Sequence, residues 1–163
     1  MQETFTANCI KRFESYRELG EKTFAQLEDQ HFYFKPSPDS NSIAIIIQHM
    51  YGNMLSRWTN FLTEDGEKEW RKRDAEFDEI PISREDLMSF WKEGWSVLLN
   101  TLQALKPEDL SRTVTIRGEK LLAYDAILRQ IAHYSYHVGQ IVTLGKMLRD
   151  AEFKSLSIPK KRH

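Results

Sequence analysis

Two histidines, four positions apart in a segment with a long helical pattern, are the side chains of this chain best placed to do chemistry. His133 and His137 are separated by slightly more than one helical turn, so both imidazoles lie on one face of the predicted helix. A metal ion could bridge them, because the ligand atoms of a tetrahedral site lie only about 3 Å apart. Two histidines make an incomplete site, so a third ligand must be sought elsewhere in the chain.

A third histidine, His49, lies in the predicted second helix, on a different face from its main apolar stripe. Gly52 on the same face would leave room beside the imidazole, and Asn53 could form a hydrogen bond there. A second helix crossing at Gly52 would explain the small residue equally well. The pattern alone therefore leaves three interpretations open: a three-histidine metal site, core histidines satisfied by hydrogen bonds, and a polar pocket without metal.

The composition indicates one globular domain with a sizeable core. The chain has 163 residues, of which 40% are hydrophobic and 29% are charged. Its 23 Lys and Arg nearly balance 24 Asp and Glu, so we expect no nucleic-acid binding. The single cysteine, Cys9, excludes an intramolecular disulfide and a cysteine-based zinc cluster. Histidine and carboxylate side chains therefore remain as candidate metal ligands. Cys9 lies on an apolar stripe, which predicts a small buried side chain.

No segment has the character of a membrane span or a leader. The longest apolar run, from Ile43 to Ile47, is far too short to cross a bilayer. The first residues, Met-Gln-Glu-Thr-Phe, have neither the charge nor the apolar stretch of a signal peptide. We therefore expect a cytoplasmic protein without membrane association.

Four amphipathic helices are predicted, so the expected fold is an all-α four-helix bundle. They cover residues 2–29, 42–62, 83–105 and 123–149. Before the last helix, residues 111–122 alternate in polarity and turn at Gly118, which predicts a short extended excursion or hairpin. We assign residues 1–150 to the bundle domain and 151–163 to a C-terminal tail, mobile or docked in extended form, with His163 uninvolved in the site.

Two connectors carry polar residues that need an interpretation. His31 lies in an aromatic loop broken by two prolines and is predicted to be structural or solvent-facing. The charged connector 63–82 is unusually long for a compact bundle. It is either a solvated loop pinned by Trp70 and Phe77, or a lid or binding loop. Three acidic residues of this connector could approach a metal: Asp74, Glu76 and Asp78. Asp74 and Glu76 are also conceivable as a general base.

Two motifs carry a family resemblance. They are Ile-Ile-Gln-His49-Met-Tyr-Gly-Asn in the second helix and Ile-Ala-His133-Tyr-Ser-Tyr-His137-Val-Gly-Gln in the fourth. With the order of the elements over nearly the whole chain, they resemble the DinB/YfiT-like superfamily of metal-dependent enzymes. Two further segments, Gly-Asn-Met-Leu-Ser-Arg-Trp and Arg-Lys-Arg-Asp-Ala-Glu-Phe, look like an uncharacterised bacterial branch. The resemblance implies that the three histidines bind a divalent metal such as nickel, zinc or iron. Characterised members include transferases and isomerases that use glutathione, mycothiol or bacillithiol.

The resemblance leads to a functional hypothesis. Three neutral histidines would leave coordination positions open, as catalytic zinc sites do, and the ion would lower the pKa of a water or thiol. We therefore predict a metal-dependent thiol S-transferase-like enzyme or hydrolase, acting on a small molecule with a low-molecular-weight thiol or water. Four residues could orient the imidazoles or the substrate, although each could equally serve in packing: Asn53, Gln130, Tyr134 and Gln140.

Two alternatives remain open. One is a non-catalytic module that binds or senses a metal or ligand. The other is a homodimer, compatible with either activity, in which surplus apolar helix faces pair with a second copy. The stripe formed by Met50, Met54 and Trp58 could be core or such an interface.

Overall fold

The chain folds into four long helices and one β-hairpin. The computed structural model describes residues 2–157, with side chains from residue 5 onward. The helices are α1 (Gln2–Phe24), α2 (Ile43–Trp58), α3 (Arg84–Ala104) and α4 (Ala123–Arg149). The antiparallel hairpin before α4 consists of β1 (Thr113–Ile116) and β2 (Glu119–Leu122). Both the predicted bundle and the extended excursion before its last helix are confirmed.

The core lies between all four helices. α2 packs most extensively on α3 and α1 on α4, while contacts between α1 and α3 and between α2 and α4 complete the bundle. Met50, Met54 and Trp58 are each 1% exposed and face this core, which assigns the apolar stripe of α2 to the interior of the chain. Among the described residues, no helix has the combination of length and apolarity that a membrane span requires.

Two helices are shorter than their patterns predict. α1 ends at Phe24 instead of residue 29, because the Arg84 guanidinium donates to the carbonyl oxygens of Phe24 and Leu27, at 2.9 and 3.0 Å. These bonds satisfy acceptors that a helix end leaves free. α2 ends at Trp58 instead of residue 62, because Asn60 adopts a φ of 50°, the left-handed conformation that commonly closes a helix.

Cys9 and His31, both predicted to lie outside the functional site, have structural environments that agree with this prediction. Cys9 is 4% exposed, and burial raises the pKa of its thiol, which confirms a buried side chain. His31 accepts a hydrogen bond through Nδ1 from the backbone N–H three residues before it, so its role is structural. In the tail, the backbone of Lys154 exchanges two hydrogen bonds with the side chain of Gln26. His163 lies outside the described residues.

The connector between α2 and α3 is anchored by charged side chains. The prediction that Trp70 pins it is wrong, since Trp70 is 57% exposed. Phe77 is half-buried and lies against the His49 ring, with ring centroids 4.7 Å apart. The deepest anchors are Lys68, which is 7% exposed, and Arg71, whose side chain is 2% exposed. Lys68 pairs with Glu64, and Arg71 pairs with Glu67 and Glu76, so each buried cation has a carboxylate partner.

The connector is also joined to the hairpin turn. Arg117 and Gly118 have φ angles of 56° and 77°, as a two-residue hairpin turn requires, which confirms the predicted turn at Gly118. The Asp65 carboxylate accepts hydrogen bonds from the backbone N–H groups of Glu67, Arg117 and Gly118 at 2.7 to 2.8 Å. Burial raises the pKa of Asp65, but these bonds outweigh it and the pKa falls to about 2.

Candidate metal centre

The three histidines selected from the sequence converge between α2 and α4. His49 Nε2 lies 3.3 Å from His133 Nε2, and His137 Nε2 lies 3.1 Å from the same atom. One nitrogen from each ring lies within 4.8 Å of the others. With metal–nitrogen bonds of about 2.0 to 2.1 Å, tetrahedral geometry places ligand nitrogens about 3.3 to 3.4 Å apart. The arrangement could therefore hold a divalent ion with small adjustments.

The outer nitrogen of His49 is held by a carboxylate from the connector. His49 Nδ1 lies 2.9 Å from Glu76 Oε2, and Arg71 donates to both oxygens of Glu76 at 2.7 and 2.8 Å. Burial raises the pKa of Glu76, but Arg71 and His49 outweigh it and the pKa is lowered. The ionised carboxylate can only accept, so Nδ1 carries the proton and the Nε2 lone pair points inward. Both oxygens are engaged, which argues against Glu76 as a general base.

Gly52 makes room for this carboxylate. A Cβ atom on Gly52 would lie 2.2 Å from Glu76 Oε1. Ser56, one turn further, donates through Oγ to the Gly66 carbonyl at 2.7 Å and accepts from Lys68 N at 3.1 Å. The small residues of α2 therefore face neither a crossing helix nor empty space. They form the surface on which the connector docks.

The outer nitrogen of His137 is held from its own helix. Gln140 Oε1 lies 2.9 Å from His137 Nδ1, and Gln140 Nε2 donates to the Tyr136 hydroxyl at 3.1 Å. This orientation of the amide puts the proton on Nδ1 and directs the Nε2 lone pair of His137 inward. The Nδ1 atom of His133 is buried and has no hydrogen-bond partner among the described residues.

Burial keeps two of the imidazoles neutral. Burial, with repulsion from the other two histidines and from Arg57 and Arg71, lowers the pKa of His133 to about 3. Burial is also the main reason that the pKa of His137 falls to about 4, although the hydrogen bond with Gln140 opposes it. Both rings therefore offer a free lone pair at neutral pH, as a metal ligand must.

A cavity of about 220 Å³ opens beside His49 and His133. Asn53 and Gln130, both predicted near the site, line it, together with five arginines: Arg57, Arg71, Arg73, Arg117 and Arg129. Arg57, Arg71 and Arg73 lie in the two further segments that carry the family resemblance. Sequence reasoning assigned no role to any of the five arginines, because their charges are indistinguishable from ordinary surface charges until the fold brings them together. Gln130 is 3% exposed, and its Oε1 atom has no partner among the described residues.

Tyr134 lies in the core behind the cavity, with no exposed surface. Its hydroxyl donates to Asn53 Oδ1 at 2.9 Å and accepts from Trp58 Nε1 at 3.1 Å. Tyr134 can therefore position Asn53, while Asn53 itself faces the cavity. The acidic residues Asp74 and Asp78 are exposed. Within the described part of the chain, the group of side chains that could hold a metal consists of the three histidines, and Glu76 contacts that group only at the outer nitrogen of His49.

Comparisons with known proteins agree with this fold. A DinB-like protein (YjoA) from Bacillus subtilis has a similar crystal structure, with a TM-score of 0.69, 16% identity, and coverage of 91% of this chain and 96% of that chain. At this identity the likeness shows the fold alone. No curated protein matches. A family model described as a protein of unknown function (DUF1572) matches residues 1–162. The chain therefore shares the fold of a DinB-like protein, as the resemblance to the DinB/YfiT-like superfamily predicted, and it belongs to the DUF1572 family.

Proposed function

We propose that His49, His133 and His137 bind one divalent metal ion, nickel, zinc or iron, through their Nε2 atoms. The observation that carries the proposal is the convergence of these atoms, with separations of 3.1 and 3.3 Å along the cluster. Glu76 and Gln140 hold the outer nitrogens of two of the rings, as partners of metal-binding histidines commonly do. The donor set of three imidazoles suits each of these metals.

We further propose a metal-dependent transferase or hydrolase that uses a small thiol or water. When bound, the ion would lower the pKa of a thiol or water and supply the nucleophile at neutral pH. Imidazole ligands carry no negative charge and would leave the charge of the ion uncompensated, while Glu76 fixes the ring of His49. The cavity beside His49 and His133 offers space for a small electrophile. Among the described residues, no acidic side chain lines that cavity, so this reaction does not rely on a carboxylate base from those walls.

The metal content of histidine variants tests the site. His49→Ala, His133→Ala and His137→Ala should each lose bound metal in elemental analysis, after loading with nickel, zinc or iron and desalting. His31→Ala is the matched control, since among the described residues the ring of His31 is hydrogen-bonded within its own loop. Unchanged metal content in all three site variants would refute the metal centre.

Activity distinguishes an enzyme from a sensing module. Metal-loaded protein is incubated with glutathione, other low-molecular-weight thiols or water, and with a panel of model electrophiles and esters. Turnover that disappears on chelation and in His133→Ala supports the enzyme. The lack of an acidic residue on the cavity wall is what favours the alternative, a non-catalytic metal- or ligand-binding module. Tight metal binding without turnover across the whole panel would select it.

A further inference from the structure

The cavity beside the three histidines has a strongly cationic wall. Five of its nine lining residues are arginines, and none is acidic. Arg57 is 5% exposed, and the side chain of Arg71 is 2% exposed. Arg117 and Arg73 are about half exposed and lie nearer to solvent. This concentration of charge is unexpected in a chain whose overall charge is nearly balanced.

The carboxylates near these arginines are too few to neutralise them. Glu67 is shared by three of them, accepting from Arg57 at 3.1 Å, from Arg117 at 3.1 Å and from Arg71 at 3.4 Å. Glu76 pairs with Arg71 and is also bound to His49. Arg73 pairs with Asp74, whose side chain is 96% exposed, so water screens this interaction.

Arg129 makes no ion pair with any residue that the structure describes. It lies on α4 one turn before His133, which places both side chains on one face of the helix. A guanidinium in this position has a full charge and five N–H donors to offer to a ligand. Arg129 is exposed, so the solvent side of the cavity wall carries at least one cation that pairs with no carboxylate of the described chain.

Two buried polar atoms of the cavity wall also lack partners. They are Nε of Arg57 and Oε1 of Gln130, and no described residue forms a hydrogen bond with either. Both side chains are more than nine-tenths buried and both line the cavity. Buried polar atoms are normally hydrogen-bonded, because leaving them unpaired is unfavourable. A ligand with an oxyanion for Arg57 and a hydroxyl or amide donor for Gln130 would satisfy both.

The two helices give the cavity a direction. α2 presents His49, Asn53 and Arg57 at intervals of four residues, and α4 presents Arg129 and His133 at the same interval. The helices run antiparallel, since His49 lies beside His133, whereas Arg57, two turns later on α2, lines a second, smaller cavity with Gln130, which precedes His133 on α4. The cationic end is displaced from the histidines by one to two turns, about 6 to 12 Å along the axes. A molecule that reaches both ends must therefore be longer than a single oxyanion.

We propose that the cavity binds the oxyanion, a carboxylate or a phosphate, of a small anionic substrate. Arg57, Arg117 and Arg129 hold the oxyanion, and the rest of the molecule extends toward the three histidines. The planar guanidinium matches the geometry of carboxylates and phosphates, which favours these groups over other anions. The part that concerns the reacting end rests on the proposed function, whereas anion binding by the arginines is independent of metal.

Anion binding to chelator-treated, full-length protein tests the proposal. Isothermal titration at low ionic strength uses inorganic phosphate, succinate and the neutral analogue succinamide as probes. We expect phosphate or succinate to bind and succinamide not to bind. Arg129→Gln and Arg117→Gln should each weaken anion binding by about tenfold or more. Lys92→Gln, the control, removes the same charge from an exposed position on α3 that lies outside the cavity wall and should leave binding unchanged.

The outcomes separate this inference from the metal proposal. Tighter binding of phosphate or of succinate identifies the oxyanion, and either result supports the inference. Absence of anion binding, or an equal affinity in Arg129→Gln, Arg117→Gln and Lys92→Gln, would overturn it. Metal binding is measured on the same preparations after they have been reloaded with nickel, zinc or iron and desalted. Protein that binds metal but no anion refutes only this inference, and protein that binds the anion but no metal refutes only the metal centre.

Discussion

Replacing Gly52 with alanine is expected to destabilise the protein, although this exchange within a helix ordinarily stabilises. Helix propensity alone would contribute about 1 kcal/mol in favour of alanine. The added Cβ, however, would lie 2.2 Å from Oε1 and 2.7 Å from Cδ of Glu76. Both separations are far inside van der Waals contact, so the carboxylate must leave its position.

The magnitude follows from the bonds that this displacement breaks. Glu76 accepts two hydrogen bonds from Arg71, at 2.7 and 2.8 Å, and one from His49 at 2.9 Å. Hydrogen bonds to charged groups contribute about 1.5 to 3 kcal/mol each, but Arg71 retains its second partner, Glu67. We therefore expect a loss of about 3 kcal/mol, reduced to about 2 kcal/mol by the gain in helix propensity. For a domain of this size the melting temperature falls by about 4 to 8 °C.

Urea and thermal unfolding of the metal-free protein measure this loss. Gly139→Ala is the matched control, because a Cβ on this helical glycine meets no atom within 4 Å. The control should be up to about 1 kcal/mol more stable than the unaltered protein. Competition with a chelating dye gives a second readout. Metal affinity should fall by about 10- to 100-fold in Gly52→Ala and stay unchanged in Gly139→Ala.

A double variant decides whether Glu76 is the cause. In a protein that already carries Glu76→Ala, adding Gly52→Ala should no longer destabilise, because the atoms that clash are gone. If Gly52→Ala alone is as stable as Gly139→Ala and binds metal with unaltered affinity, the reasoning about the docked carboxylate is refuted.

Three further predictions concern the core and the connector. Tyr134→Phe removes the hydroxyl that joins Trp58 to Asn53, and leaving both groups unsatisfied should cost about 1 to 3 kcal/mol in urea unfolding; unchanged stability would contradict the hydrogen-bonded chain. Asp65 has a lowered pKa in the folded state, so its contribution to the free energy of unfolding is present above about pH 4 and is lost as the pH falls toward 2. Asp65→Asn should therefore reduce the loss of stability between about pH 4 and pH 2 by about 1 kcal/mol, after allowance for solvent screening. Cys9 is buried and its thiol pKa is raised, so a thiol reagent should label it only at the rate of global unfolding, and fast labelling of folded protein would argue against this placement.

Long periodic helices were the most predictable part of the fold. The pattern of α4 predicted residues 123–149, and the observed helix has the same bounds. The ends of α1 and α2 were not predictable to the same degree. One is set by the Arg84 guanidinium, which lies 60 residues beyond Phe24 in the chain, and the other by the backbone conformation of Asn60. Neither cause is visible in hydrophobic periodicity.

The histidine cluster was predictable as a set of residue types, but its surroundings were not. Spacing placed His133 and His137 on one face, yet the position of His49 opposite them depends on how two distant helices pack. The connector has no periodicity, so the bond between Glu76 and His49 could not be derived. Charged residues are rarely buried, and a sequence therefore gives little reason to place Arg71 inside.

The docking of the connector on α2 links a segment with little regular secondary structure, residues 63–82, to the imidazole of His49. Between residues 63 and 82 the described structure contains only one short helical turn, Asp74–Phe77, so ordering this segment has a large entropic cost. His49 is bound to Glu76 through one ring nitrogen and offers the other to the metal position. Any coupling between the two must be reciprocal. Metal binding would raise the equilibrium constant for ordering the connector by the same factor by which the ordered connector raises the metal affinity. The rate at which proteases cleave this connector would then report metal occupancy.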